Sequence, residues 1–422
     1  MNNISNSGGL STTSGGAVVD SGSLFGMVSR MGTSRGRPFS KLLPAEQAQY
    51  IPVEFTGSGA EYFRIWIINL LLTLVTFGIY YPWAKVRKLR YFHGNTSIAG
   101  HALDFHGEPR KMLRGSILAG VLFALSSKAI ELSPVAGLVG ALLVSALLPA
   151  LLRSALQFRL ANTSWRGLRF SFTGSARGAY KALALPLLLS LVPMALAAYA
   201  GDAQDEPALA GLQLDHVAGF SYLALVALLP YFYWRLKKYQ HDHYRLGQLQ
   251  TELRLGAGAF YALGLRTLAL AVVVPLLAVG MLAMSLKLSA PSANGAGAMV
   301  IVLALLSFAW LVVPAAALWF YVVVGYFQVR MQNLLWSKTG NRYLRFRSKL
   351  KLKRFLALQL KNNLLVLVTL GLYWPWAVVA TRRMRLEAVM VVTRIDVNEL
   401  VIAAKPRAGD AAADMGDDLL GL

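Results

Sequence analysis

Residues 69–86 read NLLLTLVTFGIYYPWAKV, and residues 362–379 read NNLLVLVTLGLYWPWAVV. In register, Asn69 meets Asn362, Thr76 meets Thr369, Gly78 meets Gly371, Pro82 meets Pro375 and Trp83 meets Trp376. Each stretch is an apolar run interrupted at Thr-x-Gly. As one straight helix, Tyr62–Lys85 is long enough to cross the roughly 30 Å of hydrocarbon in a bilayer. Broken at Thr76-Phe77-Gly78, it becomes two arms of about 14 residues, too short to cross but long enough for a re-entrant or interfacial hairpin. A single crossing also places Arg30, Arg35, Arg37 and Lys41 on the outer face, against the rule that basic loops stay inside. The broken hairpin is therefore the preferred reading of both copies.

Between the two copies lie six apolar runs: Met112–Glu131, Pro134–Leu152, Ala179–Tyr199, Val217–Leu236, Phe260–Leu286 and Met299–Val324. Each suffices for a transmembrane helix. Only 15% of the 422 residues are charged against 56% apolar, a balance that soluble domains do not show. The net charge of +22 is gathered in clusters such as Lys85–Arg90, Arg153–Arg177, Arg235–Arg254 and Arg330–Arg354. The alternate loops are short, acidic (Asp202, Asp205, Glu206, Asp215) or uncharged. This is the positive-inside pattern. It predicts cytoplasmic basic loops attracted to anionic lipids, and it argues against nucleic acid as the partner.

A short pattern precedes each helix pair, with apolar residues alternating before Gly or Ser. Its copies are Val53–Gly57, Leu103–Gly107, Phe170–Gly174 and Leu344–Ser348, with a shortened one at Leu253–Gly256. Alternation with period two marks a half-buried strand. Upstream stretches Asn95–Ile98, Asn162–Trp165 and Asn333–Trp336, separated from it by Gly100, Gly167 and Gly340-Asn341, predict β-hairpins. The expected fold is a polytopic α-helical membrane protein. It has about six full transmembrane helices, two short broken helical hairpins and a small cytoplasmic β-sheet. Five strand-helix-helix-strand units are expected, at about 53–95, 96–162, 163–248, 249–335 and 336–400, within a membrane domain at 50–400. Residues 1–49 read as a Gly/Ser-rich cytoplasmic arm without a cleavable signal peptide, and 401–422 as a frayed tail, so both termini are expected in the cytoplasm. Each unit's second helix carries a proline (Pro82, Pro149, Pro230, Pro314, Pro375), read as a hinge or as a fixed bend.

The core Thr76–Ala84, followed by Lys85-Val86-Arg87-x-x-Arg90-Tyr91-Phe92 and Asn95-Thr96, resembles the bacterial YjgN-like inner-membrane family, a domain of unknown function. The resemblance spans roughly residues 50–400. It implies a bacterial inner-membrane location and gives no established activity or catalytic residues to carry over; no cofactor is expected. It also points to a membrane zinc metallopeptidase as a partner. In the second copy Val378 and Ala380 stand where the first has Lys85 and Arg87, so a role tied to those charges belongs to the first copy.

Zero cysteines exclude disulfides and thiolate chemistry. His101, Asp104 and His106 share one hairpin, and His241 and His243 lie on a later segment. A metal site needs three or four convergent ligands, so these five are metal candidates only if the fold joins them; otherwise they decorate a polar hairpin face. No nucleophile motif or phosphate loop occurs. Asn69 and Asn362, with Thr76 and Thr369, are polar groups at matching depth. They form either paired solute sites or internal partners for backbone opened at a break. The expectation is a non-enzymatic transport, permeation or lipid-handling protein; the alternative is a scaffold or regulatory subunit docking a partner on its β-layer.

Overall fold

The computed structural model describes residues 48–202, 214–289 and 296–404. The acidic residues Asp205 and Glu206, the arm up to residue 47 and the tail from residue 405 lie outside the described residues. The chain begins with β1 (Gln49–Phe55), α1 (Gly59–Val75), α2 (Tyr81–Gly94), β2 (Thr96–Ile98) and β3 (His101–Phe105). It continues through α3 (Pro109–Leu132), α4 (Pro134–Ala161), β4 (Thr163–Trp165), β5 (Leu168–Phe172), α5 (Ala176–Asp202) and α6 (Leu214–Asp242). Then come β6 (Tyr244–Leu246), β7 (Leu249–Gln250), β8 (Glu252–Leu253), α7 (Ala257–Ser289) and α8 (Ala296–Lys338). The last elements are β9 (Thr339–Gly340), β10 (Leu344–Ser348), α9 (Leu352–Val368), α10 (Trp374–Glu387), β11 (Val389–Thr393) and α11 (Val397–Ala404).

Four of these helices are long and apolar enough to cross a membrane among the described residues: α3, α4, α5 over Ala176–Leu196 and α7 over Ala257–Leu277. Their apolar side chains face outward. Leu118, Phe123, Leu143, Leu188, Leu265 and Leu276 are all exposed. A helix that presents leucine and phenylalanine to its surroundings is stable where the surroundings are hydrocarbon. The packed core lies instead at the end of the helices that adjoins the sheet. There Phe55, Tyr62, Tyr91, Phe92 and Val379 form one cluster, and Val53, Val389 and Val391 another.

All eleven strands join one antiparallel sheet in the order β7-β6-β5-β4-β3-β2-β1-β11-β10-β9-β8. The two ends of this order, β7 and β8, are separated in sequence by Thr251 alone. The sheet thus bends round on itself into a nearly closed ring. Its edges are two residues long, which removes the exposed strand edge that invites aggregation. Two hairpins turn through two-residue loops with both residues left-handed, Ala99 (φ 52°) and Gly100 (φ 75°), then Arg166 (φ 51°) and Gly167 (φ 78°). That is the turn whose twist matches paired strands.

The motif glycines have a steric reason. A Cβ on Gly57 would lie 2.7 Å from the Phe55 ring and 2.9 Å from Tyr91 Oη, and one on Gly174 would lie 2.5 Å from the Phe172 ring and 2.7 Å from Tyr239 Oη. The aromatic residue two places earlier folds over the glycine, so the pattern aromatic-x-Gly is a packing unit.

Two sequence expectations are corrected. Asn333–Trp336 is not a strand: α8 runs unbroken to Lys338, and the strand that precedes β10 and pairs with it is the two-residue β9, with β11 on its other side. The two leucines there are good helix formers, and Asn333 uses its amide to hold the β10–α9 connection, accepting from Leu350 N at 2.9 Å and donating to Leu350 O at 3.0 Å. Pro82 and Pro375 do not bend a helix interior. Each stands in the first turn of a new helix, α2 or α10, where no backbone bond is lost. Pro149, Pro230 and Pro314 do lie inside α4, α6 and α8.

Candidate functional site

The twin hairpins share their geometry residue for residue. Thr76 Oγ1 donates to Leu72 O at 2.7 Å and accepts from Tyr80 N at 3.0 Å; Thr369 Oγ1 donates to Leu365 O at 2.6 Å and accepts from Tyr373 N at 2.9 Å. The hydroxyl closes one helix and seeds the next, which is why threonine sits at the break. Two left-handed residues follow, Phe77 (φ 49°) with Gly78 (φ 89°) and Leu370 (φ 49°) with Gly371 (φ 93°). Gly78 and Gly371 carry the conformation freely, whereas a bulky residue at φ near 50° is strained. The strained side chains are also bare: Phe77 is 97% exposed and Leu370 94%. Beyond each tip, Tyr80 stacks on Trp83 and Tyr373 on Trp376.

Asn69 and Asn362 are buried crosspieces within the hairpins. Asn69 Oδ1 accepts from Arg87 Nη1 at 3.3 Å. In the second copy Ala380 replaces that arginine, and Asn362 Nδ2 donates instead to Ala377 O and Thr381 Oγ1, both at 3.3 Å. The hairpins also meet each other: Trp376 packs on Phe63, with ring centroids 4.9 Å apart. Around the ring, arginines on helix ends cap the motif carbonyls. Arg90 donates to Gly107 O, Arg153 to Gly174 O, and Arg383 to Gly57 O at 2.8 Å. The last contact joins the final hairpin to the first strand-to-helix turn.

Between the inner face of the sheet and α8, α9 and α10 lies a cavity of about 630 Å³, within the size range of small-molecule sites. Val53, Ile98, Phe346 and Val391 line its sheet side; Trp336, Val366 and Trp374 line its helix side. Its polar lining comprises Gln332, Gln359, Asn363, Thr381, Arg382 and Arg385, together with Thr96. Gln332 and Arg385 are locked together, since Arg385 Nε donates to Gln332 Oε1 at 2.8 Å and Gln332 Nε2 donates to Arg385 O at 2.9 Å.

Arg382 differs. Its Nε is buried without a hydrogen-bond partner, and its guanidinium lies over the Phe92 ring at 4.6 Å. Burial first, then repulsion from Arg159 and Arg385, partly offset by Tyr62, lowers its pKa to about 10. It is cationic at neutral pH, with cations nearby and no carboxylate among the lining residues.

The five metal candidates do not converge. No group of three or more His, Cys, Asp or Glu comes together among the described residues. His106 Nε2 bonds Ser164 Oγ at 2.8 Å, and His243 Nδ1 donates to Tyr239 O at 2.8 Å; Asp104 pairs in register with Ser164, and His101 with Ile98, as ordinary strand positions. His241 is buried at the seam where the sheet closes. Thr339 Oγ1 gives its proton to Leu335 O at 2.7 Å, so at 3.0 Å it accepts from His241 Nδ1, which fixes the neutral tautomer. The neighbouring Asp242 Oδ1 accepts from Leu253 N at 2.7 Å and pins β8. Gly57-Ser58-Gly59 acts as punctuation, with Ser58 Oγ accepting from Glu61 N at 3.2 Å as the cap of α1.

The seam predicts an acid sensitivity. Burial above all, then Lys237, pushes His241 down to about 4 from the usual 6.5, with Asp242 opposing. As pH falls through 6.5 the unfolded chain takes up this proton while the folded chain resists until about 4. Stability from this group is therefore complete above 6.5 and is lost progressively toward 4, about 3 kcal/mol in all. Thermal unfolding in detergent at pH 7.5 and 5 is expected to show the loss. His241→Gln, which keeps an N–H for Thr339, is expected to reduce it markedly. An unchanged pH slope contradicts the assignment.

Gln332, Gln359, Asn363, Arg382 and Arg385 were not singled out by the sequence reading. One signal for them exists: in the register of the twin stretches, Arg382 falls opposite Leu89 and Arg385 opposite Phe92, a charge where the other copy is apolar.

Comparison with known proteins agrees with the membrane character. A family model described as a bacterial protein of unknown function, DUF898, matches residues 50–417. The inner membrane protein YjgN of Salmonella typhimurium is 34% identical over 137 residues, covering 32% of this chain and 35% of that protein. Its Escherichia coli K12 namesake is 31% identical over 144 residues, with the same coverage. The matched segment thus spans about a third of each relative. No solved structure matches.

Proposed function

Since the chain belongs to the bacterial family of unknown function DUF898, and is a membrane protein whose relatives are named inner membrane proteins, we propose that it admits a small molecule into the cavity beside the sheet ring and passes or presents it there without transforming it. In this reading α6 and α8 complete six crossings with α3, α4, α5 and α7, and strand-helix-helix-strand units repeat five times. The two broken hairpins dip into the membrane from the cytoplasmic side, where the sheet and both termini lie. α1 and α9, at 17 residues, reach about 25 Å, short of a crossing.

The cavity carries the proposal. A scaffold needs a sealed apolar interior, whereas this one is roomy and its largely apolar lining is interrupted by amides, hydroxyls and the guanidinium of Arg382. The two-residue sheet edges also leave little for a partner to extend, so docking of a peptidase on the β-layer draws less support. Among the lining residues no carboxylate or imidazole offers a general acid or base, which favours a non-enzymatic role.

Single cysteines test this in a chain with none of its own. Thr381→Cys and Gln359→Cys are expected to react with a membrane-impermeant maleimide in inside-out vesicles, as is Arg166→Cys on the β4–β5 turn. Glu131→Cys, in the last turn of α3, is expected to react only from the outside. Unreactive cysteines at both cavity positions, beside a reactive Arg166→Cys control, sink the cavity reading; Arg166→Cys and Glu131→Cys labelled from one side sink the topology.

A further inference from the structure

Resting on the cavity reading above, we propose that the occupant is an amphiphilic anion, a carboxylate or phosphate head carrying a hydrocarbon tail, with the head held by Arg382 and the tail along the Trp336–Val366–Trp374 wall. Two observations carry the class of ligand, one for each end of the molecule.

The head follows from charge accounting. A guanidinium offers five N–H donors in a planar fork suited to carboxylate or phosphate. Taking such a charge out of water without a counter-ion costs several kcal/mol. Here the described surroundings add to the cost, because Arg159 and Arg385 repel it and Lys88 and His93 feel its repulsion in turn. The face of Phe92 offsets only part of it, since a cation over a ring is worth about 0.5–2 kcal/mol depending on desolvation. Arg385 has spent its Nε on Gln332, whereas Arg382 forms no hydrogen bond or ion pair among the described residues. What the residues lack is an anion.

The tail follows from the lining. Most of the lining is aliphatic and aromatic, from Val391 and Phe346 on the sheet to Val366 and Trp374 on the last hairpin. Trp374 is half exposed, and beside it Leu367, Val368, Leu370 and Leu372 form an exposed apolar surface. The cavity therefore borders both the polar ring and the lipid-facing side of the hairpin. A fully hydrophilic anion such as free phosphate leaves this wall unused, and a neutral hydrocarbon leaves Arg382 unpaired.

The same head and tail occur in a free amphiphile and in a bilayer phospholipid, and the test separates these sources. Full-length protein in a neutral detergent is titrated with lauroyl lysophosphatidate, inorganic phosphate and dodecanol, followed by equilibrium dialysis. The lysophosphatidate is expected to bind at least tenfold more tightly than either fragment. Arg382→Met is expected to lose at least tenfold in affinity, with Arg382→Lys in between. The unliganded Arg382→Met protein is expected to melt at the same temperature as wild type or higher, because an uncompensated charge has been removed. Native mass spectrometry after extraction distinguishes the sources: an anionic phospholipid retained by wild type and stripped in Arg382→Met marks the bilayer, and binding of the added amphiphile without such retention marks the free form. Equal binding by Arg382→Met, or dodecanol binding as well as the anion, overturns the proposal. So does an unliganded Arg382→Met protein that melts several degrees lower with its affinity intact, which makes the arginine structural. A wild type that binds none of the three while Thr381→Cys still labels rejects this ligand class and leaves the accessible cavity standing.

Discussion

Leu370→Asp and Phe77→Asp are each expected to remove most of the folded protein from the membrane fraction. Both side chains stand at a hairpin tip, almost wholly exposed, in a left-handed conformation that bulky residues avoid. In water, aspartate or asparagine is the better residue for such a turn, because both tolerate φ near 50° and lose no burial. The substitution would then be neutral or stabilising. In hydrocarbon the sign reverses, since a carboxylate at depth costs about 2.5–3.5 kcal/mol, a large share of a net stability of roughly 5–15 kcal/mol. Two different bulky apolar residues hold an unfavourable conformation at equivalent points, which is consistent with tips that must be greasy. Quantifying the membrane fraction, with size-exclusion profiles of the extracted protein, checks this. Wild-type abundance and profile for both variants would place the tips in water and overturn the re-entrant reading.

How much of this was legible beforehand depends on the range of the interaction. The break at Thr-x-Gly is local: the hydroxyl that closes one helix and seeds the next lies within four residues of its partners, so the motif announces it. The hairpins at Ala99-Gly100 and Arg166-Gly167 are equally local. Asn333–Trp336 matches Asn95–Ile98 and Asn162–Trp165 in its polar-to-apolar pattern, while the helix around it is settled by packing of its own Val329 against Leu350 and Phe355, farther along the chain. The prolines were misjudged by one turn, since Pro82 and Pro375 look the same in sequence whether they bend one helix or begin another. The cavity was invisible for a further reason. Arg382 belongs to the run Arg382-Arg383-Met384-Arg385, and a basic run at a helix end reads as orientation toward the cytoplasm. Arg383 fits a surface reading and also reaches Gly57 O. That Arg382 instead turns inward without a counter-ion depends on Phe92, Arg159 and the sheet, none of them near it in the chain.

The close approach of the first and last hairpins depends on a glycine, and its substitution is the second large effect. Gly59 opens α1, and a Cβ there would lie 2.6 Å from Cγ of Trp376. The indole cannot simply step aside, because it packs on Phe63 and stacks on Tyr373. Gly59→Ala is therefore expected to destabilise by about 2 kcal/mol through overpacking, although alanine is intrinsically the better helix residue by up to about 1 kcal/mol. The two terms separate in a double-mutant cycle. In a Trp376→Leu background, itself destabilised, the clash is gone and only the helix preference remains. There Gly59→Ala is expected to be neutral or mildly stabilising, a coupling of at least 1 kcal/mol between residues more than three hundred positions apart. Thermal unfolding of the four proteins in detergent measures it. If Gly59→Ala costs the same in both backgrounds, the first and last hairpins do not interlock at this point. Their association then rests on the β1–β11 ladder, the Phe55–Tyr62–Val379 cluster and the Arg383–Gly57 bond, and Arg383→Met becomes the next variant to measure.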